Sequence, residues 1–400
     1  MVGCGSRTPP VPATADRGDE CRLSAGSAET SETLTVALAD SVDPAHAPIP
    51  VNDSERLLFR QYSETLVRLD CQGEVRAGLA SAWMGDSTGQ RWTFTLRQSP
   101  DSPDRTPPTA TGVVSSWHGR HSAVDALGID SAVALDDGRL RVTLRATADS
   151  APRLFADPAL AVPTAVNALP ESILRITSGA GTRRIVAFQI APQGDPRDAL
   201  DRGADLIVTR DPAVVDYVAN RAEFTTFSLP WSRTYVLLQP AGALPIWILV
   251  VDSVGRSLAR DVAQADARAA EPSVWRGECT HTDLSHVVTP PISPRIVYPR
   301  DDKVARGLAE RIVALTRDSV PLRSAGLDPA EFAAAVRSQG DRGYVLGLPR
   351  QVSAPCHELA ALPAGARIQP LVDTRAHAIV RRGVPPLTVE WDGTLRVVEP

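Results

Sequence analysis

Apolar side chains recur at helical spacing over residues 54–67, directly after the polar residues 52–54. A short polar side chain can cap the first turn of a helix, and the spacing of the apolar positions is that of one helical face. We therefore predict an amphipathic helix over residues 54–67. Over residues 91–97 apolar and polar side chains alternate instead, which is typical of a half-buried β-strand. After a proline-rich loop, residues 110–117 begin another helix.

The carboxy-terminal third alternates strand and helix patterns. The predicted elements, in chain order, are strand 295–298, helix 302–316, strand 319–323, helix 328–338 and strand 343–348. The Asp-Pro pair at the start of the second helix is a common way to open a helix. Strands that are separated by helices imply parallel pairing with helical crossovers. The pattern therefore predicts an α/β architecture.

The composition is that of a globular chain with more than one domain. Four hundred residues exceed what one hydrophobic core usually serves, and 43% apolar with 22% charged residues is ordinary for a packed protein. A net charge of −5 and a pI near 5.9 give no electrostatic case for binding nucleic acid. The strongest apolar run, residues 244–251, is too short to cross about 30 Å of hydrocarbon as a helix and indicates a buried strand.

The order of segments over residues 56–117 resembles the start of the family 5 extracytoplasmic solute-binding proteins. These are the oligopeptide, dipeptide and nickel-chelate receptors of ABC importers. The segments that carry the resemblance are the helix pattern from Arg56, the run Gly78–Trp83, the strand Arg91–Arg97 and the loop and helix Asp104–Trp117. The loop keeps the family's register but has Arg105 where the family usually has glycine.

The resemblance implies an α/β fold class. More specifically, it implies a two-lobed periplasmic-binding-protein-like fold, type II, cluster C, with an extra subdomain on the first lobe. The implied organisation is a lipobox-like start and flexible tether (1–32), a first lobe (33–240) with an inserted subdomain (about 61–155), a second, shortened lobe (241–367) and a return to the first lobe (368–400).

Shorter matches to the family predict further elements. The stretch from Ala199 resembles a small helix that ends at Gly203, with a buried strand from Leu206. Residues 229–239 resemble the strand that leads into the interlobe crossover, and residues 253–270 match a helix. Two later matches are the return strand at 368–372 and the final hairpin at 389–397, around Asp392-Gly393.

The resemblance implies capture and release of a peptide-like or small polar solute in the interlobe cleft, and delivery to an ABC permease in the membrane. No bond is made or broken, so we expect neither an enzyme nor a cofactor, and we expect a monomer. The chain is short for this family, with the missing length mostly after residue 350. The alternative is a family member without a transport ligand that acts as a surface interaction or sensory lipoprotein.

Five residues are candidates for ligand binding. Trp231, Arg233 and Tyr235 lie near the expected crossover, where an aromatic ring gives contact area and an arginine can hold a carboxylate. Asp341, in the stretch that also holds Tyr344, is the candidate carboxylate for the amino terminus of a peptide. Core packing or a solvated position is the alternative for each residue.

The amino terminus resembles the tail of a bacterial lipobox, with Cys4 as the residue to be lipidated. Residues 5–32 are rich in Pro, Ser, Thr, Ala and Gly, as expected of a tether. The resemblance implies an extracytoplasmic protein, either membrane-anchored or periplasmic. The alternative is a disordered tail.

The other four cysteines, Cys21, Cys71, Cys279 and Cys356, form an even set that an oxidising compartment can pair in three ways. We favour Cys21 with Cys71 and Cys279 with Cys356, and the other pairings stay open. His281, His286 and His357 lie close to the last two cysteines in sequence, so a metal site or a nucleophile is conceivable there. The spacing matches no standard zinc module, and we favour a disulfide with incidental histidines.

Overall fold

The computed structural model describes residues 21–26, 33–98, 108–147, 151–164, 173–177, 183–190, 195–240, 267–269, 293–316, 321–350, 352 and 366–397. These residues form two compact units. Unit 1 consists of the described residues up to Pro230 and from His377 onward, and unit 2 consists of those within Trp231–Ala376. The predicted second lobe, residues 241–367, lies inside the span of unit 2.

The described elements are as follows, in chain order. Up to residue 98 they are β1 (Arg22–Leu23), β2 (Thr33–Leu38), a 3-10 helix (Pro44–His46), α1 (Asp53–Tyr62), β3 (Ser63–Glu64), β4 (Val67–Leu69), β5 (Val75–Ala77), β6 (Ala80–Gly85) and β7 (Arg91–Leu96). They continue with α2 (Ala110–His118), α3 (His121–Ala126), β8 (Ile129–Asp136), β9 (Arg139–Leu144), α4 (Ala151–Leu154), a 3-10 helix (Pro158–Leu160), β10 (Val162–Pro163), β11 (Ile173–Thr177), β12 (Arg183–Ile190), α5 (Pro196–Asp201), β13 (Leu206–Thr209) and α6 (Pro212–Val218). From residue 224 they are β14 (Phe224–Gln239), β15 (Ala267–Ala269), β16 (Ser293–Pro299), α7 (Lys303–Leu315), β17 (Arg323–Leu327), α8 (Pro329–Ser338), β18 (Asp341–Pro349), β19 (Arg367–Arg381), β20 (Leu387–Val389) and β21 (Leu395–Val397).

Helix α1 has the predicted start but ends earlier than predicted. The side chain of Asn52 caps it by accepting a hydrogen bond from the backbone N–H of Glu55 at 2.8 Å. The backbone turns extended at Ser63, with φ −130°, and β3 pairs with β10. The predicted helix ran to residue 67, but Val67 belongs to β4. Its burial therefore comes from strand packing and not from a helical face.

A four-stranded antiparallel sheet in unit 1, in the order β6-β7-β9-β8, lies within the range predicted for the inserted subdomain. The alternation in β7 is as predicted, since Phe94 and Leu96 are buried while Arg91 and Thr95 are exposed. Helix α2 packs on this sheet, and the indole N–H of Trp117 donates to the carbonyl of Leu160 at 2.9 Å.

A second sheet of unit 1 contains parallel strands. Strand β2 pairs in parallel with both β12 and β13, and β13 pairs antiparallel with the last part of β19. The small helix predicted to end at Gly203 is α5, which ends at Asp201, and Gly203 follows with φ +98°. Only glycine adopts that conformation without strain, so the chain turns here into the strand that begins at Leu206, as predicted.

Unit 2 has the predicted alternation of strands and helices. Strand β16 pairs in parallel with β17 and β18, and β18 pairs antiparallel with β14. Helix α7 places Leu308 and Ile312 against this sheet in a fully buried cluster with Ile296 and Leu371. The parallel pairing confirms the crossover architecture inferred from the sequence.

Two predictions in unit 2 are wrong in part. The strand expected over 319–323 is β17, which begins at Arg323 and runs to Leu327. The helix expected over 253–270 falls mostly outside the described residues, but its end, Ala267–Ala269, is a strand that pairs with β19. Pairing to β19 supplies the backbone hydrogen bonds there that a helix would have made internally.

The carboxy-terminal hairpin of unit 1 is as predicted, with Gly393 at φ +79° between β20 and β21. Strand β1 adds to it by pairing with β20. A disulfide joins Cys21, next to β1, to Cys71 in the turn after β4, with a Cα–Cα distance of 5.4 Å. The disulfide therefore ties the first described strand to the body of unit 1.

Candidate functional site

Trp231, one of the predicted ligand contacts, lies at the start of unit 2 on β14 and is half-buried. Two arginine side chains lie over its indole ring. The guanidinium carbon of Arg268 is 4.6 Å from the ring centroid, and that of Arg375 is 4.4 Å from it. Such contacts are attractive, since the face of the indole ring is electronegative. We call the group of Trp231, Arg233, Arg268, Arg350, Asp373 and Arg375 the Trp231 cluster.

Asp373 supplies the carboxylate of the Trp231 cluster. It is the register partner of Arg268 across β15 and β19, and the Arg268 Nε lies 3.4 Å from an Asp373 carboxylate oxygen. The hydroxyl of Thr234 donates to the other oxygen at 2.6 Å. Because Asp373 is buried, these contacts fix the Arg268 side chain in place beside the ring.

Arg233 lies two residues after Trp231 and is half-buried. Its side chain passes over Gly347 on the neighbouring strand β18. A Cβ built at Gly347 would lie 2.7 Å from the Arg233 Cδ and 3.0 Å from a ring carbon of Tyr235. Glycine at this position therefore provides the space in which Arg233 lies.

Arg350 holds the backbone of the Trp231 segment. Its backbone N–H donates to the carbonyl of Ser232 at 2.8 Å, and its guanidinium donates to the carbonyl of Trp231 at 3.4 Å. Within the described part of the Trp231 cluster, four guanidinium groups accompany one carboxylate. The described part of the cluster is therefore rich in arginine, in a chain whose net charge is −5.

The structure places the other three predicted ligand residues in the interior of unit 2. Tyr235 is 1% exposed, and its hydroxyl donates to the carboxylate of Asp302 at 3.0 Å. Since Asp302 also caps α7, Tyr235 joins that helix to β14. This contact serves packing, and the ligand role of Tyr235 stays a prediction.

Asp341 and Tyr344 lie together at the start of β18. The backbone N–H of Asp341 donates to the hydroxyl of Tyr344 at 3.0 Å, and Asp341 pairs with Arg295 at 2.7 Å. Burial raises the pKa of Tyr344, whose ring packs edge-on against Phe332. Their described contacts are internal to unit 2, and their ligand roles stay predictions.

The sequence did not single out four residues of the cluster, namely Arg268, Arg350, Asp373 and Arg375. Arg268 fell inside a predicted helix, and Arg375 follows the predicted return strand. One signal was available for Arg375, because Asp373 and Arg375 are charged residues two positions apart in the same strand. Alternate residues of a strand share a face, so the pair marks a polar face there.

Cys4, Cys279, Cys356 and the three histidines grouped with the last two cysteines lie outside the described residues. Among the residues that are described, no group of three or more His, Cys, Asp or Glu side chains is arranged to hold a metal ion. None of the described helices is long and apolar enough to cross a membrane.

No protein-family model matches the chain. One curated relative is the periplasmic murein peptide-binding protein MppA of Escherichia coli, which is 39% identical over 77 residues. That alignment spans 19% of this chain and 14% of that protein.

Solved structures match nearly the whole chain. A dipeptide binding protein from a Pseudoalteromonas species, in complex with Met-Leu, has a TM-score of 0.67 at 14% identity and covers 91% of this chain and 98% of its own. The murein tripeptide binding protein MppA of Escherichia coli has a TM-score of 0.63 at 13% identity, with 92% and 97% covered. NikA from Brucella suis, in complex with Fe(III)-EDTA, has a TM-score of 0.64 at 13% identity, with 92% and 100% covered. The chain therefore has the two-lobed periplasmic-binding-protein fold, and the resemblance seen in the sequence is confirmed at the level of the fold.

Proposed function

We propose that this chain is an extracytoplasmic solute-binding protein that captures and releases a peptide-like or small polar solute for an ABC importer. The observation that supports this most is the fold, which a dipeptide binding protein and a murein tripeptide binding protein share over 91% and 92% of the chain. The short stretch that is 39% identical to a murein peptide-binding protein supports the same class of solute.

The chemistry of the Trp231 cluster suits binding better than catalysis. An arginine side chain stays protonated at physiological pH, so it holds an anion well and exchanges protons poorly. The indole ring adds contact area at a low cost in conformational entropy. Trp231 and Arg233 therefore remain the proposed ligand contacts, and capture in the interlobe cleft stays a prediction.

The disulfide between Cys21 and Cys71 supports a location outside the cytoplasm, because such bonds persist in oxidising compartments. Lipidation at Cys4, anchoring to the membrane, a monomeric state and delivery to permease subunits complete the proposal.

A thermal-shift screen tests the proposal. The panel contains short peptides, single amino acids and metal chelates, each at a concentration that saturates a micromolar site. A ligand present at about a hundred times its Kd adds about 2.7 kcal/mol to the free energy of unfolding, which raises the Tm by several degrees. We expect at least one class of solute to produce such a shift and to be recovered chemically unchanged.

If no solute moves the Tm, the solute-binding proposal is contradicted. The result would then favour a protein of this fold without a transport ligand. If a solute binds but is recovered as a different compound, the chain is an enzyme and the proposal is equally overturned.

A further inference from the structure

Residues 43–51 precede α1 in the chain and fold back against its first turn, and we call them the strap. We propose that the contact between His46 and Glu55 holds the strap closed, and that the strap loosens as pH rises. This inference goes beyond the proposed function, because it describes a conformational change within unit 1 that needs no bound solute.

The carboxylate of Glu55 attaches the strap to α1. It accepts hydrogen bonds from the backbone N–H of Asp43 at 3.0 Å and from that of Val51 at 2.9 Å, so it holds both ends of the strap. The ring Nδ1 of His46, between those ends, lies 2.8 Å from the same carboxylate. Because Glu55 is only 1% exposed, water is largely excluded from the carboxylate. One buried side chain therefore connects three points of the strap to the helix.

The strap has few buried side chains of its own. Pro48 is its one buried residue, while Ile49 and Val51 are 42% and 62% exposed. A low density of buried apolar contacts is typical of segments that open locally while the rest of the protein stays folded. A weaker contact with Glu55 should therefore raise the population of an open strap.

A small pocket lies between the strap and α1. Its lining residues include Pro48 and Pro50 of the strap, Phe59 and Arg60 of α1, and Pro158 and Ala161 on the opposite side. Hydrogen bonds fix that opposite side, because the guanidinium of Arg120 donates to the carbonyls of Ala159 and Ala161, both at 2.7 Å. The strap is therefore the less firmly held side, and its opening would widen the pocket.

Protonation of His46 strengthens its contact with Glu55. The hydrogen bond to Glu55 raises the pKa of His46 above its ordinary value of 6.5; burial opposes this, and the charges of Glu55 and Asp43 add to it. A histidine whose pKa is higher in the closed state stabilises that state below its ordinary pKa. It loses this contribution as pH rises through the raised value. The strap should therefore be closed most firmly at mildly acidic pH.

His46 is the group of the strap that titrates near neutral pH. Asp43 lies 3.9 Å from its other ring nitrogen and adds to the attraction of Glu55. The other charged side chains at the start of α1 are Asp40, Asp53, Arg56 and Arg210. Asp53 pairs with Arg210 at 2.5 Å, and Asp40 accepts a hydrogen bond from the Ser54 hydroxyl at 3.1 Å. Aspartate and arginine ordinarily titrate far from neutral pH, so these groups keep their charge where His46 changes its own.

Hydrogen exchange of the intact chain without solute tests this inference. The reporters are the backbone N–H groups of Asp43 and Val51, which Glu55 holds directly. Their protection factors are measured at about pH 5.5 and about pH 8.5, on either side of the ordinary histidine pKa, with the intrinsic rate at each pH divided out. The variants are His46→Gln and Glu55→Gln. His118→Gln is the control, since the His118 ring lies 2.9 Å from the carbonyl of Val114 and contacts no carboxylate in the described part of the chain.

We expect both protection factors to be about two- to fivefold higher at the lower pH, the range for a partly exposed ion pair. The difference should disappear in His46→Gln, because no titrating ring remains. It should also disappear in Glu55→Gln, because the carboxylate that attracts the ring is gone. His118→Gln should keep the difference, and the Tm of each variant shows that it is folded.

Equal protection at the two pH values in the unmodified chain, or stronger protection at the higher pH, would overturn the inference. A difference that persists in His46→Gln would overturn it as well, because another group would then cause the pH dependence. None of these results bears on solute binding, which the thermal-shift screen tests separately.

Discussion

Glu64 is a buried carboxylate that arginines keep in its charged form. Burial acts to raise its pKa, but Arg396, Arg68 and Arg97 together outweigh burial and lower the pKa from 4.5 to about 2. The Arg97 guanidinium contacts the Glu64 carboxylate at 2.6 Å. Glu64 thus links β3 to the residue that follows β7 through a charge pair inside unit 1.

The low pKa of Glu64 predicts how stability depends on pH. A carboxyl group whose pKa is lower in the folded protein stabilises it above the unfolded value and loses that contribution as pH falls through the folded value. We expect a loss on the order of 3 kcal/mol from Glu64 between about pH 4.5 and pH 2, at about 1.4 kcal/mol per pKa unit. Urea unfolding across this range measures the loss.

Glu64→Gln should flatten this pH dependence, and it should also lower stability at neutral pH because buried arginines lose a charged partner. Asp136→Asn serves as the control. Asp136 also pairs with an arginine, but the pair is exposed and screened by solvent, so its removal should change the slope little. Equal slopes in Glu64→Gln and the unmodified chain would contradict the assignment.

Gly78 has a steric reason to be glycine. A Cβ built on it would lie 2.4 Å from the backbone carbonyl oxygen of Thr65, closer than any real Cβ contact. The obstruction is backbone and not a flexible side chain. Gly78→Ala should therefore lower the free energy of unfolding by roughly 1–3 kcal/mol or more, as overpacking does.

Gly119→Ala is the matched control. Its φ is −63°, and the nearest atom to a new Cβ, the carbonyl oxygen of Ser116, lies 3.7 Å away. Alanine there should be neutral or slightly stabilising, since it restricts the unfolded chain. Chemical unfolding of both variants measures the difference. Equal stabilities would show that the approach of Gly78 to Thr65 carries no constraint.

The residues of the candidate site differ in how well the sequence alone could predict them. Trp231 and Arg233 could be named as candidates from the sequence, because an aromatic ring and an arginine near the expected crossover can contact a ligand, with core packing or a solvated position as the alternative. Arg268 and Arg375 were not, since their role depends on pairing between β15 and β19 across a long stretch of chain. Local patterns carry no information about such pairing.

At the level of elements, the starts of α1, α7 and α8 followed from the sequence to within one residue, whereas the end of α1 did not. Asn52, Asp302 and Asp328 lie at the caps of α1, α7 and α8, and short polar caps act within one turn. The end of α1 depends instead on β3 pairing with a strand near residue 162, which is remote in sequence. The sequence pattern therefore missed this helix end, because pairing between strands that are distant in sequence determines it.

The disulfide between Cys21 and Cys71 is an element-level feature with a large expected effect on stability. It closes a loop with a sequence separation of 50 and fixes β1 beside the carboxy-terminal hairpin. Chain-entropy arguments give a contribution of about 4 kcal/mol for a loop of that size. The double variant Cys21→Ser, Cys71→Ser should be less stable than the oxidised chain by roughly 2–4 kcal/mol in urea unfolding.

A reductant should lower the free energy of unfolding of the unmodified chain by more than it lowers that of the double variant, which lacks this disulfide. If the oxidised chain and the double variant unfold at the same urea concentration, the disulfide contributes nothing and this prediction is wrong.

At the scale of the whole molecule, the fold was predictable although identity to solved structures is only 13–14%. A fold depends on the order of strands and helices and on which positions are apolar, and many sequences satisfy that order. The resemblance over residues 56–117 contained enough of that order of elements to identify the architecture. The Trp231 cluster was only partly predictable, because its members are brought together by the folded sheet.

Native mass spectrometry tests most directly whether this chain holds a small solute reversibly, as we propose. The intact protein is incubated with the panel of short peptides, amino acids and metal chelates, desalted and weighed without denaturation. The bound solute is then released by acid denaturation and identified. We expect one solute molecule per chain, released unchanged. A spectrum of bare protein with every solute, or a released molecule that differs from the one supplied, would contradict it.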